Sequence, residues 1–166
     1  MTADYRVLFV CTGNTCRSVM AAQVLRRELA EACVRAEVGS AGLRVREAGL
    51  TADPRAVEVL RRHGYAVEHQ TRQLEPGMLG SHDLVIALDS MHMRVLQHAA
   101  GPDRDIAARI RLLGSFDGAA GAGWDIPDPV TGTVEDYERT LTLIRSAMPG
   151  VVATVRAGMD GAVSSG

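Results

Sequence analysis

Residues 6–18 read RVLFVCTGNTCRS, and the reading of this stretch decides the fold. A short, mostly apolar run ends on Cys11 and is best read as a buried strand. Residues 17–33 then place Met20, Ala21, Val24 and Leu25 at helical spacing with charges opposite, which makes an amphipathic helix. Between the two the chain must turn sharply, and Gly13 and Asn14 are the residues that tolerate left-handed backbone. A turn of this kind points successive N–H groups inward as a nest for an anion, with Thr12, Gly13, Asn14, Thr15, Cys16 and Ser18 around it. The helix N-terminus adds its positive dipole end. Arg17 adds a planar fork that matches two oxygens of a tetrahedral oxyanion.

A thiol in that field ionises readily. Cys11 is therefore the candidate nucleophile for in-line attack on a phosphoryl group, through a phosphocysteine intermediate. Arg17 is the candidate phosphate clamp, and Ser18 a candidate hydrogen-bond donor to the sulfur. An isolated cysteine at a strand end is usually core packing; the spacing C-x5-R-S between a strand and a helix outweighs that reading. A nucleotide P-loop is excluded because its second glycine and its lysine are missing.

Further along, residues 35–42 read as a second strand running into a turn at Ser40–Gly42. Asp53 is an N-cap with Pro54 at the first helical position and Gly64 as the stop. Residues 83–88 and 108–113 read as the third and fourth strands, with a helix across 90–100. The last helix starts near Thr133, puts Val134, Tyr137, Leu141 and Ile144 on one face, and is expected to kink or end at Pro149. Alternating strands and helices predict an α/β fold: a single domain with a four-stranded, mainly parallel sheet, helices on both faces, and a phosphate-binding loop between first strand and first helix. The domain is expected over residues 1–158, with 159–166 as a flexible C-terminal tail.

Residues 114–132 form a polar, glycine-rich stretch of the length at which loops acquire functions. It contains WDIPDP, in which Pro129 restricts Asp128 to extended backbone and so aims its carboxyl. A leaving group needs a proton, and Asp128 is the leading general acid, with Asp125 second.

The 166 residues, 46% apolar and 23% charged, suit one globular domain. The net charge of −2 and the absence of a dense Lys/Arg run argue against duplex nucleic acid or an anionic membrane as partner. No apolar run is long enough to span a bilayer, and the N-terminus lacks a signal-peptide pattern, so a cytoplasmic location is expected. Three cysteines are too few for a disulfide scaffold and are expected as thiols in a reducing compartment. C-x4-C is a poor zinc spacing and no His/Cys cluster completes it; no metal and no cofactor are expected.

The motifs together resemble the low-molecular-weight protein-tyrosine phosphatases. VLFVCTGNTCRS, the later DP followed by glycine, SAG at 40–42, RRHGY at 61–65, RQL at 72–74, DLVIALD at 83–89 and RLLGSFD at 111–117 follow that family's order. The resemblance implies Cys11 as nucleophile, Arg17 as clamp, and Asp128 as acid and then base. It also implies that Asn14, Ser18, Ser40 and His69 shape the loop and steady the thiolate. It makes Cys16 a partner for a reversible disulfide with Cys11.

The departures bear on substrate. Val19 and Ala22 stand where the family usually has proline and glutamate. Val130 and Thr131 stand where it places two aromatic residues beside the phosphotyrosine ring, leaving Trp124 as the aromatic residue near the site. CTGNTCRS, with Thr15, also resembles bacterial protein-arginine phosphatases; a threonine hydroxyl can polarise water or bond a guanidinium. The expected substrate is a phosphorylated protein bearing phosphotyrosine, with phosphoarginine or a small phosphorylated metabolite as alternatives. A non-catalytic phosphate-binding regulator is the alternative of another class. Arsenate reduction is disfavoured because no cysteine follows Cys33. Oligomeric state is left open.

Overall fold

The apolar run at the N-terminus becomes a central strand. In the computed structural model, which describes residues 5–119 and 123–164, β1 (Tyr5–Cys11) buries Val7, Leu8, Phe9 and Val10 completely. It pairs in parallel with β2 (Ala36–Gly42) on one side and β3 (Leu84–Ala87) on the other, and β4 (Ile110–Leu112) pairs in parallel with β3. The order is β2-β1-β3-β4, all parallel. The connections therefore leave β1 in opposite directions, and the crevice beyond β1 and β3 is the switch point where such sheets bind ligands. Register places Cys11 opposite Gly42, at the carboxyl edge of the sheet.

Alternation along β1 builds two cores. Val7, Phe9 and Cys11 join Met20 and Leu25 of α1 (Arg17–Glu31), Val59 of α2 (Pro54–Arg62), and Tyr137 and Ile144 of α6 (Val134–Val163). Leu8 and Val10 join Leu79 of α3 (Pro76–Ser81), Leu96 of α4 (Ser90–Ala100), Ile110 of β4, and Ile106 of α5 (Arg104–Arg109). Helices thus cover both faces. Asp53 caps α2 by accepting the Arg55 N–H, and Gly64 follows at φ 74°, as the spacing predicts.

Three local expectations change. The fourth strand is shorter than residues 108–113, because the Asp103 side chain accepts the N–H groups of Asp105 and Ile106 and starts α5, which runs through Arg109. The apolar pattern simply crosses from that helix into β4. Helix α3 has no counterpart in the sequence reading, since Gly77 and Gly80 dilute its helical signal. Pro149 does not end α6, which continues through Val163 into the stretch read as a tail. Buried Val151 and Val155 beyond the proline hold that half of the helix to the core, and Gly150 lets it lie against the Phe116 carbonyl.

The segment before the last helix is anchored by a similar close approach. Gly114, in a 3-10 turn at Leu113–Phe116, faces the backbone of Trp124, and a Cβ there would overlap the Trp124 carbonyl. Gly114→Ala is expected to cost about 1–3 kcal/mol in urea unfolding, because backbone rather than a flexible side chain must yield. A loss below about 0.5 kcal/mol would mean that the Trp124 segment shifts without resistance.

Candidate active site

The turn after β1 is built around Asn14, which is fully buried and left-handed at φ 57°. Its Nδ2 donates to Ser18 Oγ at 2.8 Å and to Ser40 Oγ at 2.9 Å. Its Oδ1 accepts the Arg72 N–H at 2.9 Å, and its carbonyl accepts from His69 Nε2 at 2.7 Å. Burial lowers the His69 pKa, the Asn14 carbonyl only partly offsetting it, so the ring serves this bond as a neutral donor. Ser18 Oγ lies 2.9 Å from Cys11 Sγ. With Asn14 donating into the Ser18 oxygen, the hydroxyl proton is free for the sulfur.

Arg17 is only 3% exposed and rigidly oriented. Its NH1 donates to Asp89 Oδ2 at 2.7 Å and to the Ile126 carbonyl at 2.9 Å, while NH2 lies 3.3 Å from Asp128 Oδ2. Its Nε, also buried, has no hydrogen-bond partner among the described residues. A spare donor on a fixed guanidinium suits an oxyanion.

Asp89 and His92 belong to the site and escaped sequence reading. Asp89 caps α4 through the His92 N–H at 2.8 Å. Burial would raise its carboxyl pKa, but the His92 N–H and the Arg17 guanidinium outweigh burial and hold it below the usual range. His92 is wholly buried; its Nε2 is 2.9 Å from Thr12 Oγ1 and its Nδ1 3.2 Å from Asp89 Oδ1. Burial drives its pKa down to about 4 despite Asp89. The available signal was Asp-x-x-His at the carboxyl end of a parallel strand, where ligands gather.

The two acid candidates separate. Asp125 Oδ1 accepts the Ser90 N–H at 2.8 Å and the Ser90 hydroxyl at 2.6 Å, and so ties its segment to the start of α4. Asp128 faces the turn: beside its Arg17 contact, its Oδ1 accepts the Val130 N–H at 3.1 Å and lies 4.0 Å from Cys16 Sγ. Cys16 is buried, and burial, with Cys11 and Asp128 adding, pushes its thiol up to about 12. Thr15 is half-buried, its carbonyl accepting the Asp53 N–H at 2.8 Å. Trp124 packs partly buried against the larger core, whereas Val130 is exposed. Thr131 lines a cleft of about 270 Å³ with Pro127, Asp128, Pro129 and Arg139. Among the described residues no three His, Cys, Asp or Glu side chains are grouped to hold a metal, and no helix is long and apolar enough to cross a membrane.

Residues 6–160 match the family described as low molecular weight phosphotyrosine protein phosphatase. The chain belongs to that family. A low molecular weight protein-tyrosine-phosphatase of Streptomyces coelicolor is 43% identical over 160 residues, covering 95% of this chain and 97% of that protein. Among solved structures, the YwlE arginine phosphatase of Geobacillus stearothermophilus is 30% identical, with a TM-score of 0.80 over 93% of this chain and 94% of that one. A cysteine-to-serine mutant of a YwlE arginine phosphatase with a phosphorylated active-site serine superposes with a TM-score of 0.82 at 26% identity, over 91% of this chain and 95% of that one. In this low-molecular-weight phosphatase the strand–turn–helix at 5–31 and the Asp-Pro segment meet over one crevice.

Burial of His92 makes a pH prediction. Its folded pKa of about 4 lies below the ordinary 6.5, so above pH 6.5 neither state is protonated there and its stability contribution is complete. Below pH 6.5 the unfolded chain binds the proton first, and stability falls until about pH 4; His69 and His82, also lowered by burial, act in the same direction. Urea unfolding is expected to show a loss on the order of 1–2 kcal/mol between pH 7 and pH 5, reduced in His92→Gln. Equal slopes in the two proteins would remove His92 from this account.

Proposed function

We propose that this family member is a cysteine-dependent protein phosphatase that hydrolyses phosphotyrosine through a phosphocysteine intermediate. One observation carries the reading: Arg17 contacts Asp128 from the same short turn whose Asn14–Ser18 pair reaches Cys11 Sγ. A phosphate-binding protein needs the nest and the arginine, but it has no use for a sulfur with its own hydroxyl donor or for a carboxyl beside the clamp.

In this reading the phosphoryl oxygens lie on the loop N–H groups and Arg17, which also stabilise the charge of the transition state. Ser18 donates to the Cys11 thiolate. The sulfur attacks phosphorus, the bond to the leaving oxygen breaks, and Asp128 gives that oxygen its proton. The Asp128 carboxylate then takes a proton from water; the water oxygen attacks phosphorus, the S–P bond breaks, and phosphate leaves. The loop, Arg17 and Asp128 meet every charge requirement of the two steps, so the reading calls for neither metal nor cofactor. A reducing, cytoplasmic setting keeps Cys11 available. Cys16, held as a neutral thiol next to Cys11, is the candidate disulfide partner.

Thr15 favours a second reading. An arginine phosphatase is among the chain's structural relatives, and Val130 and Thr131 give an aromatic ring little to stack on, at about 0.5–1.5 kcal/mol per missing aromatic pair. Phosphoarginine is therefore the alternative substrate.

Phosphate release from a phosphotyrosine peptide, a phosphoarginine peptide and phenyl phosphate, with chelator present, tests both readings. Turnover should vanish in Cys11→Ser, and activity that survives there would defeat the mechanism. Asp128→Asn should slow phenyl phosphate by roughly 10²–10³-fold, whereas Asp125→Asn should stay within a few-fold. Thr15→Ile should shift preference toward phosphotyrosine, and a wild-type preference for phosphoarginine would bring the second reading forward.

A further inference from the structure

Asp128 lies in a stretch without helix or strand, yet an acid has to be held within a fraction of an ångström of its target. Ile126 is fixed by its N–H to the Leu88 carbonyl and by Arg17 at its own carbonyl. Thr133 is fixed as the N-cap of α6 by a capping box with Asp136. Between these points the backbone bonds are local: Val130 N–H to the Asp128 carboxyl and Gly132 N–H to the Pro129 carbonyl. They shape the turn without placing it relative to Cys11.

Arg55 adds long-range bonds at the backbone of this turn, beside the contact of the Asp128 carboxyl with Arg17. Its NH1 donates to the Gly132 carbonyl at 2.7 Å and its NH2 to the Val130 carbonyl at 2.9 Å. The other side of the guanidinium grips Asp53, through Nε to Oδ1 at 3.0 Å and NH2 to Oδ2 at 2.8 Å. The Asp53 N–H in turn donates to the Thr15 carbonyl at 2.8 Å, inside the phosphate loop. The guanidinium lies over the Tyr137 ring, 4.8 Å from its centroid, which sets its plane. Arg55 follows Pro54 in the first turn of α2, where a cation opposes the helix dipole, so the stability of α2 does not explain it.

We infer that Arg55 is a positioning residue for catalysis: it joins the Val130 and Gly132 carbonyls to Asp53, and through Asp53 to Thr15, so that Asp128 is held in register with the phosphate loop. The inference rests on the reading of Asp128 as general acid. Only a planar fork with several donors makes both carbonyl bonds while retaining both carboxylate bonds; a lysine in its place offers a single point of attachment.

Proton donation matters most when the leaving group is poor, and kcat/KM reports the first chemical step, so the test is a comparison of leaving groups. Phenyl phosphate and p-nitrophenyl phosphate are assayed with wild type, Arg55→Ala, Arg55→Lys, Asp128→Asn and the Arg55→Ala/Asp128→Asn double variant. Arg55→Ala should lose about tenfold more kcat/KM on phenyl phosphate than on p-nitrophenyl phosphate, and Arg55→Lys should lose less. The double variant should resemble Asp128→Asn alone, because the two changes remove one function. Equal losses of Arg55→Ala on both substrates, or additive losses in the double variant, overturn the inference while leaving Asp128 as acid. If Asp128→Asn itself shows no dependence on leaving group, the acid reading fails and the inference falls with it. Thermal unfolding checks that each variant is folded, and should Arg55→Ala not fold, Arg55→Lys carries the same comparison.

Discussion

The structure depends on one buried side chain, Asn14, held in left-handed backbone at the end of the central strand. That conformation costs about 1–2 kcal/mol for a residue with a Cβ. Hydrogen bonds to Ser18, Ser40, Arg72 and His69 offset it, each worth about 1 kcal/mol. Together they join α1, β2 and the segment before α3 to a single residue. Ser18 is placed against Cys11 by the same bonds.

Around this centre the charges are arranged so that no ion is buried alone. Arg17 is nearly inaccessible, which would be costly without partners, and it lies between Asp89 and the more exposed Asp128. Asp89 is committed twice, to the guanidinium and to the start of α4, so the arginine has a fixed direction before any ligand arrives. His92, neutral through burial, fills the space between that carboxylate and Thr12 without adding another charge. The fork is thereby held in place with little freedom to rearrange.

The Asp-Pro segment is held differently. No ladder or helix orders it; it is fixed at Ile126 and Thr133 and braced between them by side chains from elsewhere. Just before it, Gly114 lets the Trp124 backbone approach the 3-10 turn closely. A loop held by side-chain bonds to other elements keeps a defined geometry and still exposes Val130 to whatever the site receives.

Local chemistry was legible in the sequence alone. Strand, turn and helix at 5–31 follow from hydrophobic periodicity and from the left-handed backbone of Asn14, a conformation that Gly13 beside it does not take. So do the cap at Asp53 and the alternation that makes the sheet parallel. These features depend on neighbours a few residues apart, which is the range over which a sequence pattern has physical meaning. The structure alone decided what depends on distant packing. Pro149 remains helical because the core on both sides of it outweighs one lost hydrogen bond. Asp89, His92 and Arg55 acquire their roles from partners 72, 80 and 77 positions away. Asp125 and Asp128, ranked in the sequence only by the proline that follows Asp128, are separated in the structure because tertiary contacts decide which carboxylate is tied to Ser90 and which faces Arg17.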